Sequence, residues 1–124
     1  MRLEVKDKDT YIPGTVVYGC AFELSKSGSK PIYHLAPTRG IIDGFGSLYA
    51  WSVRAKFYPI GKSGKVLKKS YDIYLRDDYS HLAYEGFAGI FDNEKECIDF
   101  YNNLIDSQIK PLEDRLNKLK KLKK

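Results

Sequence analysis

The sequence predicts an α+β domain: five or six antiparallel strands, forming a sheet or an SH3-like barrel, closed by a C-terminal helix. Three observations support this fold class. Aromatic residues make up 14% of the chain and include ten tyrosines, and aromatic residues favour strands. Several segments alternate between apolar and polar residues, which is the period of a half-buried strand. From about residue 93 onward, apolar residues recur at helical spacing instead.

The length and composition indicate one globular domain of a cytoplasmic protein. The chain has 124 residues, of which 43% are hydrophobic and 30% charged, and these values suit a single core. Cys20 and Cys97 lie far apart and form no CxxC motif, so we expect two reduced, buried thiols. The charged N-terminus has no apolar segment typical of a signal peptide. No apolar run reaches the roughly 20 residues that span a bilayer, so we expect no membrane association.

The first strands are predicted from alternation and from turn-forming residues. Residues 16–24 alternate, with Tyr18, Cys20 and Phe22 on one face, while Gly19 and Ala21 on the other leave room for a second element to approach. A short strand follows at 32–36. We expect residues 37–40 to break it, residues 41–42 to resume it and the segment 43–46 to form a turn.

The strongest strand prediction covers residues 49–58. Trp51, Val53, Ala55 and Phe57 share one face, and Arg54 and Lys56 share the other. The glycine-containing loop 61–64 then leads into a predicted strand at 66–75, so the two strands should form a β-hairpin. We expect a polar loop at 77–81 and a last strand at 82–91.

The C-terminal helix begins with a capping signal. Asn93 precedes Glu96 by three residues, which is the spacing of a capping box. An apolar stripe should cover the sheet; it comprises Ile98, Tyr101, Leu104, Ile105 and Ile109. Pro111 either kinks one helix or starts a second. We therefore divide the chain into a β body, 1–110, with a closing helix at 93–109, and a basic amphipathic helical arm, 111–124.

All of the net charge of +5 lies in Lys110 and in the arm that follows it. Residues 1–109 contain fourteen basic and fourteen acidic residues, whereas residues 110–124 contain seven basic and two acidic ones. Three interpretations of the arm remain open: a solubilising tail, a surface that binds nucleic acid or an acidic partner, and a coiled-coil contact between copies through its leucines.

Within residues 1–109, whose charges sum to zero, the hairpin is basic. Residues 54–69 contain six basic residues and no acidic one, and they lie beside tyrosines that could stack on bases. The alternative is a solvated sheet face. The predicted binding residues of the hairpin and the arm are Arg54, Lys56, Tyr58, Lys62, Lys65, Lys68, Lys69, Lys118, Lys120 and Lys121.

No motif predicts catalysis, a cofactor or a metal. The segment 61–63 resembles the end of a phosphate-binding loop, but Lys56 occupies the position of the required first glycine. Asp77, Asp78 and His81 could bind a metal, although aspartates are also common in turns. His34 lies in an apolar strand, where we expect it to be packed. No serine or cysteine has an evident base partner in the sequence, so we expect no enzymatic activity.

Two segments resemble a known class of proteins. These are Tyr11-Ile-Pro-Gly-Thr-Val-Val-Tyr18 and the stretch from Phe91-Asp-Asn-Glu to Ser-Gln-Ile109. They resemble segments of small, largely uncharacterised proteins of Firmicutes phages, which include anti-CRISPR-like inhibitors of host or defence systems. The resemblance implies a compact β structure closed by a helix, and a role in blocking a target that handles nucleic acid.

The leading functional hypothesis is therefore a non-catalytic binding protein, encoded by a phage. It would bind nucleic acid or inhibit a host or defence protein that handles nucleic acid. The alternative is a structural or assembly protein that forms homo-oligomers through its C-terminal arm.

Overall fold

The computed structural model describes residues 1–25, 30–49, 52–75 and 87–123. Within these ranges the chain is α+β, as predicted, with five strands in one antiparallel sheet of order β4-β3-β2-β1-β5. After a short 3₁₀ helix, Val5–Asp9, the elements are β1 (Val17–Leu24), β2 (Pro31–Tyr49), β3 (Ser52–Pro59), β4 (Tyr71–Tyr74), β5 (Ala88–Phe91) and α1 (Glu94–Lys121).

The sheet is open but strongly curled. Its hydrogen-bonded order starts at β4 and ends at β5, yet these two edge strands approach each other. The SH3-like barrel is therefore an alternative description of the same sheet. The outer edge of β5 is partly covered by the N-terminal residues, since Arg2 forms a bridge with Phe91 and the N–H of Leu3 donates to the carbonyl of Ile90 at 2.8 Å.

Phe57 lies at the centre of the core inside the curled sheet. It is fully buried and packs among apolar side chains from all five strands. A Cβ atom added to Gly19 would lie 3.0 Å from the Phe57 ring, and one added to Gly40 would lie 2.5 Å from it and 2.4 Å from the carbonyl oxygen of Tyr58. The prediction that another element approaches Gly19 closely is therefore confirmed.

The strand β1 is buried on both of its faces. Val17 and Ala21 face the core, whereas Cys20 belongs to a second cluster with Phe91 and Cys97 of α1. This arrangement explains why larger side chains alternate with small ones along β1. The small ones admit Phe57, and the larger ones contact the helix.

The predicted break and turn between residues 37 and 46 are wrong, because β2 runs without interruption through both. Thr38 pairs with Gly19 and Leu35 with Ala21, so Pro37 lies at a register shift between β2 and β1. A second shift, between β2 and β3, contains Asp43 and Gly44. Proline and glycine are tolerated at β-bulges, where the ladder is interrupted and the strand bends.

The predicted hairpin is confirmed, but its second strand is shorter than expected. The partners of β3 in β4 run from Arg54 with Tyr74 to Phe57 with Tyr71. Residues 66–70 do not belong to β4, which contradicts the predicted strand at 66–75. Val66 forms a separate bridge with Ile60 in a different register, so residues 68–70 leave the ladder.

Of the predicted strand at 82–91, residues 88–91 are confirmed and residue 87 lies in a turn. Residues 82–86, and the predicted loop at 77–81, lie outside the described residues.

The helix α1 begins as predicted but continues through Pro111 as one helix. The side chain of Asn93 accepts a hydrogen bond from the N–H of Glu96 at 2.9 Å. Cys97 and Leu104 are buried against the sheet, with Tyr101 half-buried beside them. Ile98 was expected in this stripe but is 38% exposed, because the buried face is centred on its neighbour Cys97.

Gln108 of α1 extends the sheet where β5 ends. Its side-chain oxygen accepts from the N–H of Leu24 at 2.8 Å, and its amide nitrogen donates to the carbonyl of Phe22 at 2.7 Å. A side-chain amide has the same donor and acceptor as a peptide group. Gln108 therefore satisfies the hydrogen-bonding groups at the edge of β1 as a neighbouring strand would.

We predict that Gly40→Ala destabilises the protein by about 1–3 kcal/mol, because the new methyl group would overlap Phe57 and the Tyr58 carbonyl. Urea unfolding, monitored by circular dichroism, measures this decrease in the free energy of unfolding. Gly44→Ala is the matched control, since a Cβ atom there meets nothing within 4 Å. Equal stability of the two variants would contradict the close packing at Gly40.

Replacing Gln108 with alanine should also cost about 1–3 kcal/mol, because it leaves the N–H of Leu24 and the carbonyl of Phe22 without the amide partner. The same unfolding measurement applies. Asn102→Ala, at an exposed position of the same helix, should change stability by less than about 0.5 kcal/mol. A Gln108→Ala variant as stable as this control would show that the two hydrogen bonds of the Gln108 side chain to β1 contribute nothing to stability.

Candidate nucleic-acid interface

The loop after β3 is a compact turn that holds two lysines away from the body. The N–H of Gly61 donates to the carbonyl of Lys65 at 2.8 Å, and the N–H of Gly64 donates to that of Gly61 at 2.9 Å. Gly64 has a φ of 83°, a backbone conformation that favours glycine. The prediction of a hairpin tip here is confirmed, and Lys62 and Lys65 are exposed on it.

Four exposed lysines follow one another along this loop and the segment after it. We call Lys62, Lys65, Lys68 and Lys69 the tip cations. Among the ion pairs within the described residues, none involves a tip cation. Lys69 lies over the ring of Tyr71, with its Nζ 5.2 Å from the ring centroid. The tip cations therefore present positive charge that no described carboxylate neutralises by direct contact.

The two cations on β3 have different surroundings. Arg54 lies 4.0 Å from the carboxylate of Asp72, on the neighbouring strand. Lys56 lies over the ring of Tyr58 at 5.6 Å, and its hydrogen bond to Tyr58 raises its pKa, with smaller contributions from Asp43 and Asp72. The outer face of β3 is therefore a mixed surface of positive and negative charge.

The arm lysines lie far from the tip. Lys118, Lys120 and Lys121 occupy the last turns of α1, where positive charge also suits the helix dipole. The start of α1, at Glu94, lines the same cavity as Lys62. Since a helix rises about 1.5 Å per residue, Lys118 lies roughly 36 Å along the axis from that start. The predicted site residues thus form three separate groups: the tip, the β3 face and the arm.

An open cavity of about 470 Å³ lies between the tip and the start of α1. Its lining residues are Tyr18, Pro37, Thr38, Arg39, Ile60, Gly61, Lys62 and Glu94. Arg39 is exposed here, although it is not among the binding residues predicted from the sequence. β2 brings it to the tip, because the N–H of Ile60 donates to the Arg39 carbonyl at 2.9 Å. The pairing of Gly40 with Pro59 is the tertiary contact that would have indicated this neighbour.

His34 is exposed on β2 and packs against aromatic side chains, as predicted. Its ring stacks on that of Tyr101 at 5.9 Å, and Nε2 lies 2.6 Å from the Tyr101 hydroxyl. Phe22 meets the same imidazole edge-on at 5.5 Å. These contacts join β2 to α1, which is a structural role.

The two cysteines are free and buried, as expected. The hydrogen bond with Cys97 and burial raise the pKa of Cys20, and its Sγ lies 3.6 Å from the carbonyl oxygen of Cys97. A buried thiol with a raised pKa is a poor nucleophile, because the reactive species is the thiolate.

Of the described residues, no three His, Cys, Asp or Glu side chains are placed to hold a metal ion. The candidate ligands Asp77, Asp78 and His81 lie outside the described residues. No helix in the described part of the chain is long and apolar enough to cross a membrane.

Comparisons with protein-family models, curated proteins and solved structures found no match to this chain. Any functional interpretation therefore depends on the geometry and charge of the chain itself.

We predict that neither thiol reacts appreciably with a reagent such as DTNB while the protein is folded, since both side chains are fully buried. Absorbance should show two thiols reacting in urea and almost none in buffer. Rapid reaction of one thiol in buffer, with the circular dichroism spectrum unchanged, would contradict the burial and revive a catalytic interpretation.

Proposed function

We propose that the chain binds nucleic acid, and that the tip cations together with Arg39 contact the phosphate backbone of the nucleic acid. The observation that carries the proposal is the separation of charges on the body. The cations on β3 are offset by Asp72 and Asp43, whereas no tip cation forms an ion pair with a described carboxylate. Phosphates are recognised first by such clusters of exposed positive charge.

The shape of the surface supports the same proposal. Arg39 and Lys62 flank the open cavity next to the start of α1. Tyr18 lines the same cavity and Tyr71 lies beneath Lys69. Both side chains are half-buried, and an aromatic ring with an exposed face can stack on a base. Glu94, which also lines the cavity, would repel a phosphate that entered deeply, so the backbone would follow the rim.

The arrangement favours binding without base-specific contacts. Lysines on a loop act as flexible point charges and contribute affinity, whereas sequence recognition requires oriented hydrogen bonds to base edges. We therefore propose a protein that occupies nucleic acid and blocks other proteins from it. The same surface could instead contact an acidic face of a protein that handles nucleic acid, as the phage-protein resemblance implies.

The first test is fluorescence anisotropy with labelled single- and double-stranded DNA over a salt series. If all five cations contact phosphates, log K should fall with log salt at a slope of about −4.5 for duplex and about −3.5 for single strands. No detectable binding at low salt would overturn the nucleic-acid proposal and leave the protein-partner version to be tested.

Two variants that each lose four lysines locate the site. Replacing Lys62, Lys65, Lys68 and Lys69 with glutamine should weaken duplex binding at least tenfold and reduce the salt slope by about 3.6. The control replaces Lys110, Lys118, Lys121 and Lys123 with glutamine, which removes the same charge from the C-terminal end of the chain and should leave most of the slope unchanged. Equal losses in both variants would indicate attraction to net charge alone and contradict a site at the tip.

A further inference from the structure

The helix α1 carries an apolar seam, and the body does not cover the part of it that lies in the arm. Ile105, Ile109, Leu112, Leu116 and Leu119 follow at intervals of four, three, four and three residues along α1. The first three are half-buried, whereas Leu116 is 52% and Leu119 58% exposed. Leu122, beside the seam, is 74% exposed.

This spacing is that of positions a and d in a heptad repeat, which pack against another helix. Because α1 continues through Pro111, the seam keeps its direction from the body into the arm. A helical segment that packs against nothing is only marginally stable in water. A second helix packed on the exposed part of the seam would stabilise it.

The charges beside the seam distinguish between possible arrangements of two arms. With Leu116 at position a and Leu119 at position d, Glu113 and Lys120 occupy position e and Arg115 occupies position g. In a parallel pair, Arg115 would face Lys120 of the second copy, which is repulsive. In an antiparallel pair with Leu116 opposite Leu119, Glu113 would face Lys120, and symmetry makes this contact twice.

We propose that two copies of the chain associate through their arms in this antiparallel arrangement. Leu116 of each copy packs against Leu119 of the other, and Glu113 of each pairs with Lys120 of the other. Such a contact is isologous and closes as a two-fold dimer. It uses neither the tip cations nor Arg39, so it is independent of the proposed binding to nucleic acid.

The dimer should be weak and concentration-dependent. Each arm contributes only a few leucines, so the contact is small compared with the roughly 1,200–2,000 Å² of a stable interface. The excess of lysines on each arm also opposes association. Leu112 is half-buried, which leaves Leu116, Leu119 and Leu122 as the main apolar surface that a second copy can cover.

Sedimentation equilibrium of the full chain, at concentrations up to about 1 mM, tests the proposal. We expect a reversible monomer–dimer equilibrium that is lost in the Leu116→Ser/Leu119→Ser variant. Both side chains are more than half exposed, so the body should keep its circular dichroism spectrum. A monomer at every concentration, or a dimer unaffected by the two serines, would overturn the proposal.

Charge exchange tests the direction of the two helices. Glu113→Lys and Lys120→Glu should each raise the dissociation constant of the dimer, roughly threefold to tenfold for two exposed ion pairs. The double variant should restore it.

Asp114→Lys is the matched control for Glu113→Lys, since it changes the charge equally at a position facing away from the seam. A stronger dimer in Lys120→Glu would indicate a parallel pair, and a double variant that fails to recover would exclude the ion pair. Either result would overturn the antiparallel arrangement.

Discussion

The packing of Phe57 between two glycines is the constraint on which the rest of the structure depends. Its ring fills the space that side chains at Gly19 and Gly40 would occupy, and those glycines belong to the two strands that β3 must approach for the sheet to curl. Interiors are close-packed, so such a contact allows little adjustment. Once Phe57 is in place, β1, β2 and β3 have a fixed separation at the centre of the sheet.

This constraint also positions the candidate interface. Gly40 is paired with both Val17 of β1 and Pro59 of β3, so the bend of β2 places Arg39 beside the end of β3. The chain then turns immediately into the tip loop. Arg39 and the loop that carries Lys62 and Lys65 are therefore held by backbone hydrogen bonds next to the core, although each side chain ends in solvent.

The sequence predicted the fold class and the faces of the main strands, because both follow from local patterns. The alternation around β3 separates Val53, Ala55 and Phe57 from the outward Arg54 and Lys56, and burial follows that division. Pro37 and Asp43-Gly44 were misinterpreted, because a turn and a bulge have the same local signals. Only the neighbouring strands decide whether such residues reverse the chain or bend it.

The candidate site was predicted only in part, for a similar reason. The predicted hairpin placed Asp72 on the strand next to Arg54, but the sequence pattern did not predict the register that brings its carboxylate to 4.0 Å from Arg54. Arg39 was missed because it lies some twenty residues before the hairpin tip that it joins. The course of α1 through Pro111 was left open by the sequence, since a proline can kink one helix or occupy the first position of a second.

The length of α1 has a geometric consequence. The helix begins beside the tip and its arm extends away from the sheet, so its length sets the distance between the two ends of the molecule. In the proposed dimer the two helix starts would lie roughly 70 Å apart, from a rise of about 1.5 Å per residue. Two turns of B-form DNA span a similar distance. In such a dimer, the length of α1 would set the spacing between the two sets of tip cations.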